Sequence, residues 1–196
     1  MIQTKAELKR CLEWDAKANK IPNHSMRFWI KSLISPNYIW IYICCLRKAE
    51  FYKNSSASFL YKLIYVLLKI RLNRLSVKLG MAIPPNVFGP GLSIPHYGGI
   101  VVNENAKVGN NCRLMHGVTI GTTSGSNKAP NIGNNVFLGT GSIVLGDIEI
   151  TDDISVAANA VVTKSCTEKG AMLAGVPAMI KKNSCPVWWE YNRLSL

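Results

Sequence analysis

From Val108 onward, aliphatic side chains return every six residues: Val108, Leu114, Ile120, Ile132, Leu138, Val144, Ile150, Val156 and Val162. The position out of phase is Ser126, inside the polar stretch Thr122–Asn131. A second series, four residues further on, is mostly small or apolar: Cys112, Val118, Val136, Ser142, Ile148, Ile154, Ala160 and Cys166. Between the two series lie Gly109-Asn110-Asn111, Gly133-Asn134-Asn135 and Asp152-Asp153, residue types that tolerate tight turns. Such hexads predict a parallel β-helix, with one short strand and one turn per hexad and three hexads (roughly 18 residues) per triangular coil. The coils stack at strand spacing, about 4.8 Å, and the aliphatic side chains fill the prism.

Before residue 80 the period is helical. Leu8, Cys11 and Leu12 mark a first short helix, and Trp40, Ile43, Cys44 and Arg47 a second apolar segment after Pro36. A third helix is predicted from Ser58 to Leu79, with Phe59, Leu63, Val66, Leu67 and Ile70 set against Lys62, Lys69, Arg71, Arg74 and Lys78. Its apolar stripe either packs on the rest of the protein, the simpler reading, or lies on a membrane surface. The expected fold class is mainly β: a parallel β-helix over residues 80–182, preceded by an N-terminal α-helical region, 1–79, and followed by a tail, 183–196.

The coil count makes two further predictions. Cys112 and Cys166 lie 54 residues apart, three coils, and should share one interior column as packing residues too distant to bridge. His96 lies two hexads before Val108, where an aliphatic side chain would otherwise sit.

Charge adds a question about partners. The chain of 196 residues carries 23 Lys+Arg against 11 Asp+Glu, a net of +12, and is 48% hydrophobic. That composition excludes a disordered chain. Residues 1–80 hold 15 basic and 4 acidic side chains; residues 81–196 hold 8 and 7. The basic half is either a solvated face or a surface for an anionic partner. Nucleic acid is not expected, because no reader motif is present. Met1–Lys20 is too polar for a secretory signal, and the longest apolar run, Tyr38–Leu46, is about half of a membrane span. Six cysteines without a CxxC pair point to a reduced, cytoplasmic protein.

Three segments carry a family resemblance: Ile94-Pro95-His96-Tyr97-Gly98-Gly99-Ile100-Val101-Val102, Val118-Thr119-Ile120-Gly121, and Ala174-Gly175-Val176-Pro177-Ala178. Over about residues 80–182 the chain resembles the hexapeptide-repeat acyltransferases, in particular their serine acetyltransferase branch. The resemblance implies a left-handed coil, a homotrimer, and acetyl transfer from acetyl-CoA to a hydroxyl with no metal. His96 matches the catalytic histidine; an imidazole titrating near neutrality suits the removal of a hydroxyl proton. With no partner aspartate, its other ring nitrogen is expected to donate to a backbone carbonyl. Thr122, Thr140 and Ala158, spaced 18 apart, are expected to stack as a column of small side chains. Such a column leaves a groove for the pantetheine arm or packs at a contact between copies. Gly121, Gly175 and Lys181 complete the coenzyme candidates. His116, Lys128 and Glu104 are the acceptor-side candidates. His24, the remaining histidine, is expected on the surface of the helical half.

Serine acetyltransferases orient the histidine with aspartates and hold the serine carboxylate with an Arg-His pair before a proline. This chain has Ala82 and Pro95 at the aspartate positions and Lys128-Ala129-Pro130 at the third. A carboxylate site without its bidentate arginine suggests a changed acceptor. The Ile-Pro-His-x-Gly-Gly variant resembles the subgroup acting in surface-polysaccharide pathways. The expectation from sequence is therefore an O-acetyltransferase acting on a sugar hydroxyl; the alternative is L-serine O-acetylation. The basic half would suit an anionic membrane face, placing the protein in the cytoplasm at the inner side of the membrane. A zinc enzyme on this scaffold needs three imidazoles, and His24 is far from the repeats. A non-catalytic scaffold is the other class of reading.

Overall fold

The computed structural model describes residues 1–22, 36–55 and 58–182. His24 and the tail 183–196 lie outside the described residues. Helices α1 (Lys5–Ala18), α2 (Tyr38–Asn54) and α3 (Phe59–Leu79) precede a left-handed parallel β-helix. One face of the prism is built from β1 (Met81–Ala82), β2 (Ile100–Val102), β5 (Thr119–Gly121), β8 (Ile143–Leu145) and β11 (Val161–Val162), stacked in that order. A second holds β4 (Arg113–Leu114), β7 (Phe137–Leu138), β10 (Ser155–Val156), β12 (Met172–Ala174) and β13 (Met179–Lys182). The third holds β3 (Lys107–Val108), β6 (Asn131–Ile132) and β9 (Glu149–Ile150). All pairings are parallel except β12–β13, which closes the end as an antiparallel pair.

The six-residue series is the core. All nine residues of the first series are buried, as are Cys112, Val118, Val136, Ile154, Ala160 and Cys166 of the second. Each large aliphatic side chain so buried contributes about 1.5–3 kcal/mol. The turn residues stack too. Asn111, Asn135 and Asp153 sit one above another with positive φ (56°, 60° and 62°). Asn111 Nδ2 donates to Asn135 Oδ1 (3.0 Å), and Asn135 Nδ2 to Asp153 Oδ1 (2.7 Å).

Two irregularities move residues off the predicted columns. Thr119 pairs with Ile143, 24 residues on, whereas Ile143 pairs with Val161, 18 on. The polar stretch after β5 is therefore an extruded loop one hexad long. It preserves the six-residue phase but shifts every later residue by one face of the prism. For that reason Cys112 and Cys166 do not share a column: Cys112 lies in the hexad before β4, on the level of Val136, while Cys166 pairs with Ile150. Both thiols are buried and unbridged, as packing residues should be.

The second irregularity lies between Ile94 and Val102. Ser93 pairs with Arg113, 20 residues on, while Val101 pairs with Thr119, 18 on. The corner Pro95–Gly99 thus carries two extra residues. Gly98 and Gly99 make this possible with φ of 108° and 66°, conformations costly for other residues. Ile94, not His96, fills the interior beneath Leu114.

The helices cover the first coil. A capping box starts α1: Glu7 N–H donates to Thr4 Oγ1 (3.1 Å) and Thr4 N–H to Glu7 Oε2 (3.0 Å). At its far end Asp15, fully buried, meets Arg47 of α2, which is 1% exposed. Arg47 donates Nε–H to Asp15 Oδ2 (2.7 Å), Nη1–H to Glu50 Oε2 (3.0 Å) and the Phe88 carbonyl (2.8 Å), and Nη2–H to the Gly89 carbonyl (2.7 Å). Asp15 Oδ1 accepts from the Gly91 and Leu92 amides, and Glu50 Oε1 from the Asn86 amide. Burial opposes the guanidinium charge, but Glu50 and Asp15 outweigh it and raise the Arg47 pKa.

The third helix departs from the expected packing. It packs through Leu68, Leu72, Leu75 and Leu79. The stripe singled out in the sequence, Phe59, Leu63, Val66, Leu67 and Ile70, faces outward.

Candidate functional site

The corner that follows the β4–β7–β10–β12 face brings five candidate residues into one line. The backbone joins the corners coil by coil: Gly117 N–H donates to Gly98 O (2.9 Å), Gly141 N–H to His116 O (2.9 Å), Asn159 N–H to Thr140 O (2.8 Å) and Val161 N–H to Gly175 O (3.0 Å). His96, His116, Thr140, Ala158 and Gly175 therefore occupy equivalent corners of successive coils. All are exposed except Thr140, which is half-buried. The two rings meet edge to face, centroids 6.0 Å apart and planes at 85°. Small side chains are enforced here: a Cβ on Gly139 would lie 2.7 Å from Ala158 N and Val156 O.

His96 does not occupy an interior column position; the two extra corner residues push it out of the prism. The predicted hydrogen bond from its ring to a carbonyl is also absent among the described residues. Its ring neighbour is His116 instead. The orientation of the backbone just before it comes from α1. Asn19 donates Nδ2–H to Leu92 O (2.7 Å) and to Asp15 O (2.7 Å), and accepts from Ile94 N–H at Oδ1 (2.9 Å). Ser93 Oγ donates to Ala18 O (3.1 Å).

Thr122 does not stack with Thr140 and Ala158. The extruded loop lies between them, so Thr140 sits on the level of His116, while Thr122 follows β5 at the next corner. Gly121, paired with Leu145, ends the same strand; a Cβ there would lie 3.1 Å from Leu145 Cδ2. Glu104 follows β2 at that same second corner and is exposed. Lys128 rides on the extruded loop, where its Nζ meets Asp147 Oδ2 at 2.7 Å, both side chains in solvent. Asn105 Nδ2 bonds Asn127 O (3.0 Å), tying the loop to the coil below. Within one chain, then, Glu104 and Lys128 stand at the opposite end of the strands from His96. Lys181 lies exposed on β13, past the Gly175 turn.

A 280 Å³ recess abuts the histidine corner through Ile94 and Pro95, with Asn19, Lys20, Ser93 and Arg113 on its wall. A larger one of 700 Å³ lies between α1 and the β3–β6 face, around Cys11, Trp14 and Asn110. Neither includes His96 or Thr140 in its wall. Sequence reasoning missed Asn19, Asp15 and the role of Arg47. The available signal was a charge at Arg47 and another at Glu50, three residues on and so on one side of a helix whose first nine residues, Tyr38–Leu46, carry no charge.

No protein-family model matches the chain. It is 38% identical over 105 residues to a serine acetyltransferase of Mycobacterium tuberculosis, covering 53% of this chain and 45% of the relative. It is 41% identical over 86 residues to a serine acetyltransferase of Helicobacter pylori, covering 42% and 50%. The chain thus spans about half the length of the curated relatives it matches. Among solved structures, serine acetyltransferase of Neisseria gonorrhoeae superposes with a TM-score of 0.72 at 26% identity, over 93% of this chain and 69% of that one. Serine acetyltransferase of Brucella abortus in complex with coenzyme A gives 0.72 at 29% identity, over 92% and 70%. The Neisseria gonorrhoeae enzyme in complex with serine gives 0.67 at 26%, over 91% and 70%. These likenesses support a hexapeptide-repeat acetyltransferase. They overturn the expected polysaccharide branch: the sugar acceptor rested on missing clamp residues and on the Ile-Pro-His variant, whereas the similar proteins are serine acetyltransferases.

Proposed function

We propose that the protein is an acetyl-CoA-dependent L-serine O-acetyltransferase with His96 as its general base. The observation that carries this reading is the exposed corner line: two histidines at its head and three small residues along it, on a chain similar to serine acetyltransferases of known structure. His96 takes the proton of the serine hydroxyl, whose oxygen attacks the thioester carbonyl. Backbone N–H groups hold the resulting oxyanion. On collapse the C–S bond breaks, and the His96 imidazolium gives its proton to the departing thiolate. No acyl-enzyme forms. The small side chains of Thr140, Ala158 and Gly175 leave backbone open to the long thiol carrier.

The coenzyme groove on this reading lies between this corner and a second copy, in keeping with the homotrimer that the resemblance implies. The test is coenzyme A release by the purified protein with acetyl-CoA and L-serine, with free sugars as comparison. Saturable turnover on serine, lost in His96→Ala, is the expected result; no turnover on serine overturns the reading.

A further inference from the structure

We propose that the outer face of α3 docks on an anionic lipid bilayer. Phe59, Leu63, Val66, Leu67 and Ile70 recur at helical spacing on one side of the helix and are 81%, 47%, 49%, 59% and 45% exposed. The opposite side is fixed on α2 and the prism through Leu68, Leu72 and Leu79, so the stripe is held outward rather than free to turn in. The helix carries five cations, Lys62, Lys69, Arg71, Arg74 and Lys78, and no acidic residue. On a helical wheel Lys62 and Lys69 border one edge of the stripe and Arg71 and Lys78 the other, while Arg74 falls among its apolar residues.

This charge pattern chooses the occupant. A second copy of α3 laid on the stripe would bring cations against cations. A nucleic acid would meet the cations but leave the apolar stripe without a partner. A bilayer with acidic headgroups satisfies both: the stripe enters the boundary between headgroups and acyl chains while lysines and arginines reach the phosphates. Among the described residues no helix is long and apolar enough to cross a membrane, so α3 lies in the interface plane. The surface is independent of the acetyl-transfer reading and is tested without an activity readout.

The full chain is sedimented with vesicles of phosphatidylcholine alone, and with vesicles containing about 30% phosphatidylglycerol. Binding to the anionic vesicles only is expected. It should weaken about fivefold for each of Lys62, Lys69 and Arg71 changed to Gln. It should weaken at least about tenfold in the Leu63→Gln/Leu67→Gln variant. Raising salt from about 0.1 M to about 0.5 M should release most of the protein. Absence of binding to anionic vesicles at the lower salt overturns the proposal. So does equal binding of the variants, or a fall in oligomer size in the leucine variant with lipid binding unchanged, which assigns the stripe to a second copy. The lipid and salt dependence of the unaltered protein decides the matter even if a variant fails to fold.

Discussion

His116 stands edge-on above His96, the ring centroids 6.0 Å apart, although the two residues are 20 apart in a chain whose regular coil is 18. The two-residue extension of the Pro95–Gly99 corner creates that juxtaposition. Removing the base itself should be costly: His96→Ala should lower turnover by about 10²–10⁴-fold, the range of a lost general base. His116→Asn removes the ring that packs edge to face on His96 and should cost about tenfold in turnover. Both positions are exposed, so thermal melts should stay at the unaltered value. Steady-state thiol release and circular-dichroism melts check both statements.

The corner line separates Thr140 and Ala158 from Thr122. If the thiol carrier runs along it, a large ring at Thr140 or Ala158 blocks the path, whereas one at Thr122 stands at another corner. Thr140→Trp and Ala158→Trp should each raise KM for acetyl-CoA by about tenfold or more, a loss of at least ~1.4 kcal/mol of binding. Thr122→Trp should leave that KM within about twofold. Equal effects at all three positions would sink the assignment of the line to the coenzyme.

The interior was legible because the prism admits only small and aliphatic side chains, so Val108 through Val162 advertise the six-residue period without any knowledge of the fold. Faces were not legible. A loop of one hexad leaves the period intact and shows only as the polar Ser126 at an aliphatic position, which does not distinguish a looped-out hexad from a polar one within a coil; the expected columns of Thr122 and Cys166 therefore miss by one face. The two extra residues before Gly98 acted similarly: counting back from Val108 put His96 inside. The histidine was found through its chemistry and its motif, not its phase. In α3 the sequence offered a stripe but not its direction, because the leucines of the packed side and the apolar residues of the exposed side are of like hydrophobicity.

Arg47 ties both layers together. Its guanidinium, 1% exposed, holds Asp15 of α1, Glu50 of its own helix and two carbonyls of the first coil. Arg47→Met leaves two buried carboxylates without their cation, and should lower stability by about 3–5 kcal/mol. Asn19→Ala frees Leu92 O and Ile94 N–H and should cost less, about 1–3 kcal/mol. It also loosens the backbone two residues before His96, so kcat should fall more than KM changes. Urea titration at neutral pH gives the first pair of values, and kinetics the last.

Alkaline pH should weaken the fold through its buried thiols. Burial pushes Cys11 up from 9.0 to about 12 and Cys44 to about 11, and raises Cys112, deep in the prism, as well. Asp15 and Glu50 add to the shift at Cys11, while Arg47 opposes it. Between pH 9 and about 12 the unfolded chain loses these protons while the folded chain keeps them, so the native state binds more protons there. Stability is then fully present below about pH 9 and falls as pH rises toward 12. Urea midpoints measured from pH 8 to pH 11 should decline, and the decline should be shallower in Cys11→Ala and Cys44→Ala than in the unaltered chain. The same burial keeps the thiolate fraction low, so a thiol reagent at pH 8 should modify the buried Cys11 and Cys112 only as fast as the protein unfolds. Rapid labelling of Cys112 in the folded state would mean that the prism opens at that coil without global unfolding.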